Sequence, residues 1–289
     1  LVRRLARDLE VDLAKVAGTG GKGRVTKQDL LTHYEKGVAP AGAASGAGIP
    51  PVPEVDFSKF GPTRTVPLSR IKKVSGPHLH RSWLNVPHVT HADEGDITDL
   101  DVYRRELDEA AKADGYRVTL LSFLLKAAAA SLRKFPEVNS SLSGDNLVLK
   151  DYVHIGVAVD TPDGLVVPVV RDVDRKGIAE ISRELGELSA KARDGKLTAA
   201  DMQGATFTIS SLGGIGGTHF TPIVNAPEVA ILGVVRSKMT PVWNGEEFVP
   251  RLMLPLCLSY DHRVIDGALA ARFTAHLSSL LEDMRRILL

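Results

Sequence analysis

The stretch Leu252-Met253-Leu254-Pro255-Leu256-Cys257-Leu258-Ser259-Tyr260-Asp261-His262-Arg263-Val264-Ile265-Asp266-Gly267 joins an apolar run to a charged segment near the C-terminus. The run from Leu252 to Ser259 reads as a buried strand, and Ala268 to about Met284 reads as a helix. The charged segment is then a strand-to-helix turn. A histidine on such a turn stands on a rigid platform. Imidazole takes and gives a proton near neutral pH, and a positioned histidine can deprotonate a thiol to make a nucleophile. Taken alone, the same residues also describe an ordinary turn histidine, with Asp266 capping the helix.

Outward from this turn, the pattern alternates helices and strands. Phe207 to Ser210 and Val229 to Val235 read as strands, as do Val86 to Asp96, His154 to Asp160 and Leu165 to Arg171. The last two are joined by the turn sequence Thr161-Pro162-Asp163-Gly164. Ile178, Ile181, Leu185 and Leu188 recur at helical spacing, with Gly195 suited to a C-terminal cap. Helices are also predicted over Leu100 to Ala113, over Leu120 to Phe135, and over Ser69 to Trp83 with Pro77 interrupting. Mixed helices and a mixed sheet imply an α/β sandwich over residues 60–289.

Composition sets wide bounds. Apolar residues make up 44% and charged residues 25%, with a net charge of +1. These are ordinary values for a folded soluble chain. They give no overall pull toward nucleic acid or membrane. The single Cys257 cannot form an internal disulfide and reads as a buried thiol. No stretch reaches the roughly 18 apolar residues of a spanning helix. The chain opens on a helical pattern without a signal peptide or Met, and reads as a fragment of a longer protein.

Residues 38–59 are rich in Ala, Gly and Pro and read as a tether. Before it, residues 1–37 read as a small all-α unit. Thr26 is a predicted N-cap with Asp29 as capping acid. Gly18-Thr19-Gly20-Gly21-Lys22-Gly23 spells a dinucleotide fingerprint. It lacks the preceding strand and the later acidic residue, so that reading is rejected and the glycines are assigned to tight turns. Arg3, Arg4, Arg7, Lys22 and Arg24 give this unit surplus cation, suited to an acidic partner. His78, His80, His88 and His91 cluster, but no paired cysteines or helical His-x-x-x-His pattern accompany them, so no metal site is assigned.

Asp261-His262-Arg263-x-x-Asp266-Gly267 resembles the active-site motif of the dihydrolipoyl acyltransferases, the cores of 2-oxo acid dehydrogenase complexes. Thr206-Phe207-Thr208-Ile209-Ser210-Ser211-Leu212-Gly213-Gly214 and the segment from Thr221 to Gly233 resemble two further family blocks. Residues 1–37 resemble the family's peripheral subunit-binding domain through Val2-Arg3-Arg4-Leu5-Ala6-Arg7, Gly18-Thr19-Gly20 and Gly23-Arg24-Val25. The resemblance implies the fold shared with chloramphenicol acetyltransferase and a homotrimer built into a cubic core. The C-terminal Ile287-Leu288-Leu289 would help knit that core.

The implied reaction moves an acyl group, most simply acetyl as in the pyruvate complex, between dihydrolipoamide and coenzyme A. Succinyl or branched acyl groups, or a non-catalytic scaffold, are the alternatives. By the resemblance, His262 is the general base and Ser210 the oxyanion donor, with Ser211 as the open alternative. Asp266 is left among orienting the histidine, pairing with an arginine and capping the helix. In the family the histidine and serine come from different chains. Ser69, Arg70, Lys72 and Lys73 fall on the family's entry helix, where they would meet coenzyme A phosphates. The basic residues of the small unit would dock dihydrolipoyl dehydrogenase, the 2-oxo acid decarboxylase, or both. Lipoyl groups would be carried on domains outside this chain. The implied setting is the cytoplasm, or the mitochondrial matrix in a eukaryote.

Overall fold

Alternation along the C-terminal apolar run decides how the main sheet packs. In the computed structural model, Leu254, Leu256, Leu258 and Tyr260 enter the principal core, while Cys257 and Ser259 are buried on the opposite side of the same strand. Period-two patterning with both faces buried makes this a central strand. The structure describes Val2, Ala6, residues 16–30, Thr32 and residues 52–288. It divides into two units, Leu1–Arg64 and Thr65–Leu289.

In the larger unit, helix α1 spans Arg70–Asn85 and strand β1 spans His88–Asp96. Helices α2 (Thr98–Ala113) and α3 (Leu120–Lys134) follow, then the hairpin of β2 (Ser140–Ser143) and β3 (Asn146–Leu149). Next come β4 (Ile155–Val157), β5 (Val159–Thr161), β6 (Gly164–Val166), β7 (Val169–Val170) and α4 (Ile178–Arg193). The chain ends in β8 (Phe207–Ser211), β9 (Ala230–Val234), β10 (Lys238–Trp243), β11 (Phe248–Asp261) and α5 (Gly267–Glu282). The main sheet has the order β1-β11-β9-β8-β4-β7, with β10 paired to β11. β8 runs parallel to β4 and β9, and the other pairs are antiparallel. The expected α/β class with a mixed sheet is observed.

Several elements differ from the sequence reading. Pro77 does not interrupt α1, which runs through it and forgoes the bond that residue's N–H would have made. The two strands expected over 154–171 are each split. β4 and β7 join the main sheet, while β5 and β6 form a separate hairpin around the predicted turn. The strand expected over Leu252–Ser259 extends to Phe248–Asp261 because β10 folds back on it.

The smaller unit keeps its predicted capping box. Thr26 N–H donates to Asp29 at 2.8 Å and Asp29 N–H donates to Thr26 Oγ1 at 3.2 Å. Thr19 donates to the same carboxylate through its backbone and hydroxyl, and these bonds hold Asp29 well below the usual carboxylate range. Gly23 takes φ +75°, and a Cβ on Gly18 would lie 2.5 Å from the Gly23 carbonyl oxygen. The glycines therefore serve a tight turn and a close backbone approach. Arg24 is exposed. Arg3, Arg4, Arg7, most of the tether and the side chain of Lys22 lie outside the described residues.

Candidate active site

The turn after β11 is locked by its own charges. Asp261 is buried, and Arg263 grips it through its backbone N–H and through the Nε and Nη2 groups of its guanidinium, at 2.6–3.2 Å. Val264 and Ile265 N–H close the turn on the Asp261 carbonyl at 3.0 Å, and the His262 N–H donates to the Pro87 carbonyl at 3.1 Å. Ile265 is buried beneath. His262 is thus fixed by its backbone while its side chain is exposed, with its ring 5.9 Å from that of Tyr260. An imidazole on such a support is preorganised to meet a proton donor.

Asp266 points elsewhere. Its Oδ1 accepts from Leu269 N–H at 2.7 Å, so it caps α5, where a carboxylate also complements the helix dipole. Arg263 is committed to Asp261. Of the roles left open for Asp266, capping is the one with a hydrogen bond in this structure.

Ser210 lies near the end of β8. Phe207 and Ile209 enter the core, so Thr208 and Ser210 face the other side of the sheet. Ser210 is half-buried and Ser211 exposed. Ser210 pairs in register with Gly233, and Gly233 pairs with Cys257. His262 lies five positions farther along from Cys257, an offset of about 16 Å at the rise of a strand. Ser210 and His262 therefore sit toward opposite ends of the sheet, beyond hydrogen-bond reach within one chain.

The entry helix is placed by its N-cap. Ser69 accepts from Lys72 N–H at 3.3 Å and donates to the Asp163 carbonyl at 2.6 Å, so its hydroxyl is used as a cap and a dock. Arg70, Lys72 and Lys73 are exposed, free to meet phosphate.

Two of the four clustered histidines, His78 and His88, have other employment. His88 Nδ1–H donates to the Val86 carbonyl at 2.7 Å, and its Nε2 accepts from Val224 N–H at 2.9 Å, so both ring nitrogens are used. His78 Nε2 bonds Asn225 Oδ1 at 2.9 Å. Neither the concavity of about 700 Å³ beside Tyr116, Arg117 and Leu185 nor that of about 630 Å³ beside Tyr103, Phe123, Ile178 and Met284 is lined by any of the candidate residues. Among the described residues no helix is long and apolar enough to cross a membrane.

One buried group was missed from the sequence. Glu228 is 3% exposed. Its carboxylate accepts from Thr208 Oγ1 at 2.6 Å and from Asn225 Nδ2 at 2.9 Å. A lone acid opening the apolar run Val229-Ala230-Ile231-Leu232 was the available signal. Burial raises its pKa to about 7, against the pull of those hydrogen bonds and of the Lys150 ammonium. The folded value lies above the unfolded one, so the folded chain binds this proton more tightly. The cost of the buried charge is felt above pH 7 and fades as pH falls toward the ordinary carboxylate range. Glu228→Gln is expected to raise Tm by about 3–6 °C at pH 8 and to change it little at pH 5. Thermal melts at the two pH values check this.

Two family models match the chain. The 2-oxoacid dehydrogenases acyltransferase (catalytic domain) matches residues 60–289, and the e3 binding domain matches residues 1–31. The dihydrolipoyllysine-residue acetyltransferase components of the pyruvate dehydrogenase complexes of Cupriavidus necator and Pseudomonas aeruginosa are 56% and 57% identical. Both matches cover all of this chain and 54% of the relative, so the chain spans about half the length of these curated relatives. Two solved structures superpose with TM-scores of 0.82 over 83% of this chain and 100% of theirs. One, 58% identical, concerns the roles of a serine, a histidine and an asparagine in the catalytic mechanism of Azotobacter vinelandii dihydrolipoamide acetyltransferase. The other, 59% identical, is the cubic core of a pyruvate dehydrogenase multienzyme complex.

Proposed function

The chain belongs to the 2-oxoacid dehydrogenase acyltransferase family, and we propose that it transfers an acetyl group between dihydrolipoamide and coenzyme A. The observation that carries this reading is the turn after β11, which holds His262 rigidly by its backbone and leaves the imidazole open. The serine, histidine and asparagine named for the Azotobacter enzyme stand in the order and at the spacing of Ser210, His262 and Asp266 here. This chain carries aspartate where that enzyme has asparagine. Both residues can cap a helix, in keeping with the bond from Leu269 N–H.

The chemistry runs as follows. A thiol is only partly ionised at neutral pH. His262 takes the thiol proton, and the thiolate attacks the thioester carbonyl. The tetrahedral oxyanion accepts a hydrogen bond from Ser210. Its collapse breaks the original carbon–sulfur bond, and the departing thiolate takes the proton back from His262. Since Ser210 and His262 are too far apart in one chain, the working site takes each from a different subunit of a trimer. Arg70, Lys72 and Lys73 would meet the coenzyme's phosphates. The e3 binding domain match supports docking of dihydrolipoyl dehydrogenase, and the 2-oxo acid decarboxylase would join the same assembly on a cubic core. Lipoyl groups would come from domains elsewhere in the full protein. The bacterial relatives favour a cytoplasmic setting.

The test is acetyl transfer from acetyl-CoA to dihydrolipoamide by the purified chain. Ser210→Ala is expected to lower kcat by about 10²–10³-fold with little change in KM, and Ser211→Ala to leave it near wild type. A folded, oligomeric wild type without transfer activity would overturn the reading.

A further inference from the structure

Helix α1 is lightly held. Ser82 is its only buried residue. Its start is fastened by Ser69 on the Asp163 carbonyl and by Ile71 against Gly164. Beyond its end, Val86 packs with Val224 and Ile231. Pro77 removes a backbone donor in the middle. Between these anchors, His78 makes the only side-chain hydrogen bond from α1 to another element among the described residues.

That bond begins a continuous string. His78 Nε2–H donates to Asn225 Oδ1 at 2.9 Å, since a carbonyl oxygen only accepts. Asn225 Nδ2 donates to Glu228 Oε1 at 2.9 Å, and Thr208 Oγ1 donates to Glu228 Oε2 at 2.6 Å. Both carboxylate oxygens are thereby used. Asn225 cannot turn its amide without placing donor against donor at His78 and acceptor against carboxylate at Glu228. Each link is directional, and the Thr208–Glu228 link is buried, where an unmade bond costs most. Lys150, the nearby cation, is spent on the Ser140 carbonyl at 3.0 Å and the Ser141 hydroxyl at 2.7 Å.

The two ends of the string matter. One is α1, which carries Arg70, Lys72 and Lys73. The other is Thr208, two residues before Ser210 on the same face of β8. We infer that His78, Asn225, Glu228 and Thr208 form a positioning strut that fixes the cationic helix relative to the strand carrying the oxyanion donor. The inference rests on the acyltransferase reading of those residues. None of the four is a catalytic residue; each acts through what it holds in place.

A strut of this kind predicts a split between binding and turnover. Cutting it at the helix loosens the phosphate-facing cations. His78→Leu is expected to raise KM for coenzyme A about fivefold, the worth of one neutral hydrogen bond, with kcat within about twofold. His78→Gln, whose amide can still donate to Asn225, is expected to restore KM. Cutting at the strand disturbs the oxyanion donor. Thr208→Val is expected to lower kcat about tenfold through misplacement with KM little changed, and Thr208→Ser to recover it. Circular dichroism and oligomer size establish that each variant is folded. An active wild type in which His78→Leu and Thr208→Val leave both constants within twofold overturns the strut alone. Equal losses in the conservative and disruptive variants also overturn it. A wild type that transfers nothing overturns the functional reading, and the strut with it.

Discussion

His262→Ala is expected to lower acetyl transfer by about 10²–10⁴-fold, the usual worth of a positioned general base, while KM for coenzyme A and dihydrolipoamide stays near wild type. The expectation follows from how the residue is held. The backbone of His262 is fastened to Pro87, and the turn is built by Asp261, Arg263 and Ile265. The imidazole itself is exposed and makes no hydrogen bond among the described residues. Its removal therefore costs the fold little, and surface changes of this kind usually stay within about 0.5 kcal/mol. Loss of activity without loss of Tm would isolate the chemical role. A variant that kept half of the wild-type rate would remove His262 from the mechanism. Asp261→Asn offers a contrast. It weakens the pair between buried Asp261 and half-exposed Arg263 that shapes the turn, so its loss of activity should come with a lower Tm.

How much of this was readable beforehand depended on whether the signal was local. The turn after β11 was legible because strand, charged turn and capped helix follow one another directly. Helix α4 was legible from its spacing, and Gly195, at φ +67°, ends it as predicted. β10 was not legible. Pro241 and Pro250 stand opposite each other across the β10–β11 pair, and proline argues against a strand unless it lies at an edge. The Asn244-Gly245 pair at the intervening turn was the cue that went unused. β2 and β3 were hidden by Ser140, Ser141 and Ser143, which carry no apolar alternation. The site divided the same way. Ser210 and His262 were each recognisable in their own segments. Their separation was implied only by the family resemblance, because in the residues themselves it depends on β11 lying between β1 and β9 and on the register Ser210–Gly233–Cys257. The string from His78 to Thr208 links three segments far apart in sequence, and only folding brings them together.

That separation yields the sharpest expectation. Co-expressing His262→Ala chains with Ser210→Ala chains under two different tags should give mixed oligomers more active than either variant alone. In a trimer whose sites each take a histidine from one subunit and a serine from the next, every mixed trimer keeps one site in three intact by cyclic symmetry, so doubly tagged trimers should recover about a third of the wild-type rate, and a randomly mixed cubic core about a quarter. Each variant alone should remain at its own depressed level, because every site in it lacks the same group. If both residues served one chain's site, every subunit of the mixed trimer would be defective and no activity would return. The register favours the first outcome. An offset of about 16 Å along the strand direction cannot be closed by side-chain rotation, and two central strands held in a continuous sheet cannot slide past one another without breaking it. Transfer restored to that level would make the subunit boundary part of the catalytic machinery, and a dissociated monomer would then be inactive however well it folds.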